Sequence, residues 1–131
     1  MSEVATLNFV ATIIRPDIQY IMNRLAEANK GLTKKHIAIL KYFWRYMAGT
    51  KSLGFYTGGR QYIFNLHLYI YGDISFVDDL FTRVSTGGYM VFLAGCLIIW
   101  KSRKQTIVTT STIEAEFINF TPIAFNIKWI V

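Results

Sequence analysis

The sequence has one cysteine, two histidines and eight acidic residues among its 131 positions. With Cys96 alone, an internal disulfide and any zinc cluster of the cysteine type are excluded. A lone cysteine inside an apolar run reads as plain packing. Long apolar runs are also missing. The most continuous, Gly87 to Trp100, is 14 residues with Gly95 near its middle, short of the ~20 needed to cross a bilayer. A pair of buried strands accounts for it better than a membrane span. The first 15 residues lack the basic start and long apolar centre of an export signal, so the expected location is intracellular, away from membranes. Charged residues are only 17% and hydrophobic residues 53%, which excludes disorder and leaves one compact domain or a small domain with an appended piece.

The charge that is present is unevenly placed. Residues 1–60 hold nine Lys or Arg against three acids, whereas residues 61–131 hold five of each. The first half is therefore the candidate for meeting phosphate, and the alternative is a solvated basic helix face.

Arg15-Pro16-Asp17 reads as a helix start, with proline in the first turn and an acid near the positive helix end. Ile18, Ile21, Met22 and Leu25 follow at helical spacing, and Asn29-Lys30-Gly31 ends the run. Thr33 can cap a second helix. Ile37, Leu40, Trp44 and Met47 form its apolar stripe, and Gly49 supplies the stop. Lys34, Lys35, Lys41 and Arg45 mostly lie off that stripe. The first 50 residues are thus expected to be a helical hairpin with a basic outer surface.

Beyond Gly49 to Ser52 the texture turns to short aromatic runs broken by glycine. In "QYIFNLHLYIYGD", Phe64, Leu66, Leu68 and Ile70 alternate with Asn65, His67, Tyr69 and Tyr71, as in a strand with one core-directed face. His67 reads as a half-buried strand histidine, since no second His or Cys sits at ligand spacing. "YMVFL" and "LIIW" flank Ala94-Gly95-Cys96 as a hairpin. "KSRKQ" reads as a basic turn and "TIVTT" as a third β-rich segment. Ser111 stands three residues before Glu114, the capping-box pattern, which starts a last helix at Thr112 and carries it to about Trp129.

Two acids then stand out. Glu114 is placed to bind backbone N–H groups at the helix start. Glu116, about 200° further round the helix, sits in a segment that should face the sheet, where an acid is costly unless satisfied. Asp73 ends an apolar strand instead of sitting in a turn. One carboxylate on a strand and one on the covering helix could converge on a divalent metal. The plainer reading has Asp73 closing the strand and Glu116 at the sheet margin.

Several segments carry a resemblance in one order along the chain. "RPDIQYIMNRLAEA" resembles the helix after the polymerase palm in copia-type retrotransposon Pol polyproteins. "LTKKHIAILKYFWRYMAGT" is similar to that family's Pro-x-x-x-His … Arg-Tyr-Leu-x-Gly-Thr segment, with Leu32 for Pro and Met47 for Leu. "YGDISFVDDLFTRVSTGGYMVFLAGCLIIWKSRKQTIVTTSTIEAEFI" resembles the stretch written Tyr-Ser-Asp-Ala-Asp-Trp … Lys-Ser-Thr-Ser-Gly-Tyr … Ser-Ser-Thr-Glu-Ala-Glu-Tyr. The resemblance implies an α+β chain: residues 1–51 a helical hairpin like the C-terminal end of reverse transcriptase, residues 52–131 the N-terminal part of an RNase H-like domain. That part would hold about three antiparallel strands and a covering helix.

The same resemblance implies a chemistry. The intact family hydrolyses the RNA strand of an RNA–DNA hybrid with two Mg²⁺ ions. Asp73 matches its first metal-binding Asp and Glu116 its metal-binding Glu, while Glu114 matches a structural helix-start residue. Partners would be RNA–DNA hybrid or other nucleic acid and the remainder of the Pol polyprotein. The departures imply a truncated, divergent and inactive fragment. The strand bearing the third metal-binding Asp is not in this sequence, Ser75 and Phe76 replace Asp and Trp, Gly72 and Gly87 replace Ser, and Pro122 falls inside the last helix. Without the later strand, residues 64–72 would leave an apolar edge inviting self-association. The alternative function is a non-catalytic nucleic-acid-binding module that uses Lys34, Lys35, Lys41 and Arg45 on phosphates.

Overall fold

The computed structural model describes residues 3–27, 33–55, 66–77 and 82–130. The chain divides into two compact units, Met1–Phe55 and Tyr56–Val131.

The first unit is helical: α1 (Glu3–Ile13), a 3₁₀ turn (Pro16–Ile18) running into α2 (Gln19–Glu27), and α3 (Lys34–Gly49). Its core is Leu7, Ala11, Ile18, Met22, Leu25 and Phe43, with Val10, Ile21, Leu40, Tyr46 and Met47 packed against it. The stripe expected on α2 is the one that is buried. α1 was not anticipated, because its β-branched residues weaken the helical signal and, among its described side chains, only Leu7 and Ala11 are buried, one turn apart. α3 starts at the expected cap. The Thr33 N–H donates to Nδ1 of His36 at 3.1 Å, so a histidine takes the place a Glu or Gln usually has in this box.

The expected stripe on α3 is rotated. Phe43 is fully buried, whereas Ile37 and Trp44 are 50% and 48% exposed. Phe43, Met47 and Leu40 share one side of a 3.6-residue helix, and Ile37, Lys41, Trp44 and Arg45 share the neighbouring one, roughly 110° round.

Arg15 joins the 3₁₀ turn to the end of α3. The residue is buried, and its guanidinium donates to both carboxylate oxygens of Asp17 at 2.9 and 2.7 Å and reaches the Thr50 carbonyl at 3.1 Å and hydroxyl at 2.9 Å. The Tyr46 hydroxyl also donates to Asp17. These bonds, with the Arg15 guanidinium first, hold the Asp17 carboxyl below the usual carboxylate range.

The second unit is a three-stranded antiparallel sheet, β1 (Leu68–Ser75), β2 (Thr86–Leu93) and β3 (Cys96–Lys104), in the order β1-β2-β3. It is covered by α4 (Thr112–Ile130). The helices followed by this covered sheet are the α+β architecture expected. Ala94 and Gly95 form a two-residue hairpin loop with φ of 50° and 79°, the left-handed pair whose twist matches the strands. Tyr89, Val91 and Ile123 form the core, flanked by Leu68, Ile70, Ile99, Ile127 and Ile130.

Two strand expectations are corrected. "KSRKQ" is not a turn, since Lys101–Lys104 stay in β3, paired to β2 as far as Thr86. "TIVTT" is not a strand. β2 begins at Thr86 and offers nothing further to pair with, and Ile107 and Val108 are exposed. His67 precedes β1 and is exposed instead of half-buried. The aromatic run before Leu66, including Phe64 and Asn65, lies outside the described residues.

Candidate functional site

Asn119 is a polar anchor to the sheet within the apolar face of α4. Ala115, Asn119 and Ile123 follow at i, i+4 spacing, and Ala115 and Ile123 are buried. The Asn119 amide donates to the main-chain carbonyls of Asp73 at 3.1 Å and Gly88 at 3.3 Å. Gly87 makes room for it, because a Cβ there would collide with the Asn119 side chain.

One turn before Asn119, Glu116 borders a cleft of about 170 Å³ that is also lined by Gly72, Asp73, Ile74, Asn119 and Phe120. The two sequence-predicted acids thus meet the same cleft, one from β1 and one from α4. Both are exposed, and neither carboxylate has a hydrogen-bond or ion-pair partner among the described residues. Asp73 does not end the strand. It pairs with Gly88, and β1 continues to Ser75. Side chains alternate along a strand, and a Cβ at Gly72 would touch Ile123 of α4. Asp73 therefore shares the register of Tyr69 and Tyr71 and leaves β1 on the face of the sheet away from α4, bordering the cleft at the margin of the sheet.

Glu114 does something else. Its Oε2 accepts from the Thr110 N–H at 2.8 Å and the Thr110 hydroxyl at 3.0 Å. Its own N–H donates to the Ser111 hydroxyl at 3.2 Å. The Thr110 N–H is the main reason its carboxyl sits below the ordinary range. It is a helix cap.

A pair of Mg²⁺ ions does not fit the donor set found here. Four positive charges would face two carboxylates, and the Asn119 amide is committed to main-chain carbonyls. Among the described residues no group of three or more His, Cys, Asp or Glu converges. One hydrated Mg²⁺ is the most that two carboxylates match, since this ion keeps several of its waters.

Comparison with known proteins gives this arrangement a context. The chain is 35% identical over 127 residues to the retrovirus-related Pol polyprotein from transposon RE1 of Arabidopsis thaliana, covering 97% of this chain and 8% of that protein. It is 30% identical over 129 residues to the Pol polyprotein from transposon TNT 1-94 of Nicotiana tabacum, covering 98% and 9%. The chain is similar to retrotransposon Pol polyproteins. It spans less than a tenth of the length of these two Pol-polyprotein relatives. The secreted RxLR effector protein 161 of Plasmopara viticola is 26% identical over 132 residues, covering 99% of this chain and 89% of that protein. No protein-family model matches the chain. No solved structure matches it.

The four basic residues singled out from the sequence lie on α3. Lys34, Lys41 and Arg45 are exposed, and Lys35 is on the same helix with its side chain outside the described residues. Lys34, Lys41 and Arg45 share their face with the exposed Ile37 and Trp44, not with the buried Phe43. Asn119 was not anticipated from the sequence. Its signal was there: an amide centred between two buried apolar residues at helical spacing must find main-chain partners. Among the described residues no helix is long and apolar enough to cross a membrane.

Proposed function

We propose that the chain is a copia-type Pol segment, with residues 1–51 corresponding to the end of reverse transcriptase and residues 52–131 to the start of the RNase H domain. In this reading Asp73 and Glu116 occupy two of the metal-binding positions of a nuclease that hydrolyses the RNA strand of RNA–DNA hybrids. The segment alone does not perform that hydrolysis. The observation that carries the reading is that these two acids, chosen by their match to the family's motifs, border one cleft in a chain similar to Pol polyproteins over 97% of its length. Mg²⁺, when bound, would supply Lewis-acid stabilisation and a polarised water. The chain's own contribution is the anchoring of α4 by Asn119, which sets Glu116 beside β1.

Titration with Mn²⁺, followed by relaxation of amide NMR signals, tests the placement. Broadening should centre on residues 72–74 and 116–120 and be weakened by Asp73→Asn or Glu116→Gln. Broadening that ignores both substitutions contradicts it.

A second reading has an observation of its own: the solvent face of α3 interleaves Lys34, Lys41 and Arg45 with Ile37 and Trp44. Cations beside an aromatic ring suit a nucleic-acid backbone and its bases. Binding of duplex or hybrid through this face should fall steeply with salt. Binding that is absent, or insensitive to salt, removes this reading.

A further inference from the structure

α4 lies across β1 and β2, bonded to them through Asn119 and through the Asn126 amide, which donates to the Tyr89 hydroxyl at 2.7 Å. Outward of that contact, between α4 and β3, runs a groove of about 350 Å³ that takes no part in the carboxylate cleft apart from the shared Asn119. Its two walls differ in chemistry. On β3, Lys101 pairs across from the buried Tyr89 and Arg103 from Gly87, so by strand alternation both extend on the side of the sheet that carries α4. On α4 the wall is Ile118, Pro122 and Phe125, with Thr121 beside them. Among the described residues no acidic side chain lines the groove, and neither Lys101 nor Arg103 has an ion-pair partner.

Two details give the apolar wall a specific character. Phe125 is 64% exposed, leaving an aromatic surface next to two cations. Pro122 lies inside the helix and has no N–H, so the Ile118 carbonyl is deprived of its i+4 donor. A carbonyl without its donor beside an exposed ring suits a flat ligand that carries an amino group. The volume is at the small end of the ~300–1,000 Å³ range of ligand clefts, which admits one nucleotide and excludes a duplex.

We propose that this groove holds one unpaired nucleotide of a single-stranded nucleic acid. Lys101 and Arg103 take the phosphate, the base lies against Phe125, and the Ile118 carbonyl accepts from the base amino group. Single-strand sites combine a basic track with aromatic platforms in this way. An acidic peptide would match the cations but leave the exposed ring and the carbonyl unexplained. The inference does not depend on the reading of Asp73 and Glu116, nor on the α3 face.

The test uses the full chain and fluorescence anisotropy with a labelled twelve-residue deoxycytidine strand, an abasic strand of the same charge, free cytidine monophosphate, and an acidic peptide. The strand should bind at least about five-fold more tightly than its abasic counterpart, because stacking on an aromatic side chain favours a base by that much or more. Phe125→Leu should erase the difference between the two strands, and Phe125→Tyr should keep it. Arg103→Gln combined with Lys101→Gln should lower the salt slope by about 0.7, the share of one phosphate. Free cytidine monophosphate should compete weakly and the acidic peptide not at all. Lys34→Gln combined with Lys41→Gln and Arg45→Gln reports on α3 separately and should leave the base-dependent difference intact. Equal binding of the abasic strand, or an unchanged preference in Phe125→Leu with a wild-type circular dichroism spectrum, overturns the proposal. Displacement of the strand by the acidic peptide also overturns it.

Discussion

A Cβ added at Gly87 would land on the Asn119 side chain, and Asn119 is the residue that holds α4 to the carbonyls of Asp73 and Gly88. The serine found here in the resembled pattern is therefore incompatible with the asparagine. Gly87→Ser should destabilise the second unit by about 1–3 kcal/mol, as overpacking does. Adding Asn119→Ala should recover part of the loss, which a double-mutant cycle in urea would read as coupling. The sequence displayed Gly87 as a departure from pattern, but its reason was an amide 32 positions away in the chain, which no local pattern displays. Arg15 and Asp17 were equally visible and were read as helix-start residues. Their actual role, joining the 3₁₀ turn to the end of α3, depends on Thr50 and Tyr46. The Asp17 carboxyl is depressed in the folded state. Its contribution to stability is thus fully present above the unfolded carboxylate range and is lost as pH falls through the lower folded value. Asp17→Asn should flatten that part of the acid limb in a pH series of thermal melts. An unchanged acid limb would show that the ion pair adds nothing.

At the scale of elements, the helical stop and start signals were legible and the packing faces less so. Thr33 and Ser111 mark the starts of α3 and α4 because capping is local chemistry. The buried side of α3 was misjudged because Trp44 and Phe43 are neighbours of similar hydrophobicity. Only the tertiary contact decides which of them enters the core. β3 was cut short in the reading because Lys101, Arg103 and Lys104 resemble a turn, yet ladder pairing with β2 carries them. α4 runs unbroken through Pro122, held by its contacts to the sheet despite the missing N–H. Pro122→Ala should restore the bond to the Ile118 carbonyl and stabilise the second unit by up to about 3 kcal/mol, measured as a higher denaturation midpoint. Destabilisation by this change would mean that the proline ring itself is needed for the fit of α4 on the sheet.

At the scale of the molecule, the sheet has β1 at one margin and exposes Tyr69, Tyr71 and Met90 on its outer face. Tyr71 and Phe92 stack edge to face there, 5.8 Å between centroids. An apolar edge strand with nothing paired to its outer side among the described residues templates association. Sedimentation velocity should show mass rising with concentration, and Tyr69→Lys should shift the distribution toward monomer. A sharp, reversible thermal transition of a monomer at all concentrations would contradict this.

The two acids that border the cleft reach it from different elements, and the described residues give them no third carboxylate as companion. The decisive measurement is hydrolysis of a labelled RNA strand in an RNA–DNA hybrid by the purified chain with Mg²⁺. No cleavage above buffer is expected. Efficient cutting that is abolished by Asp73→Asn would contradict the account.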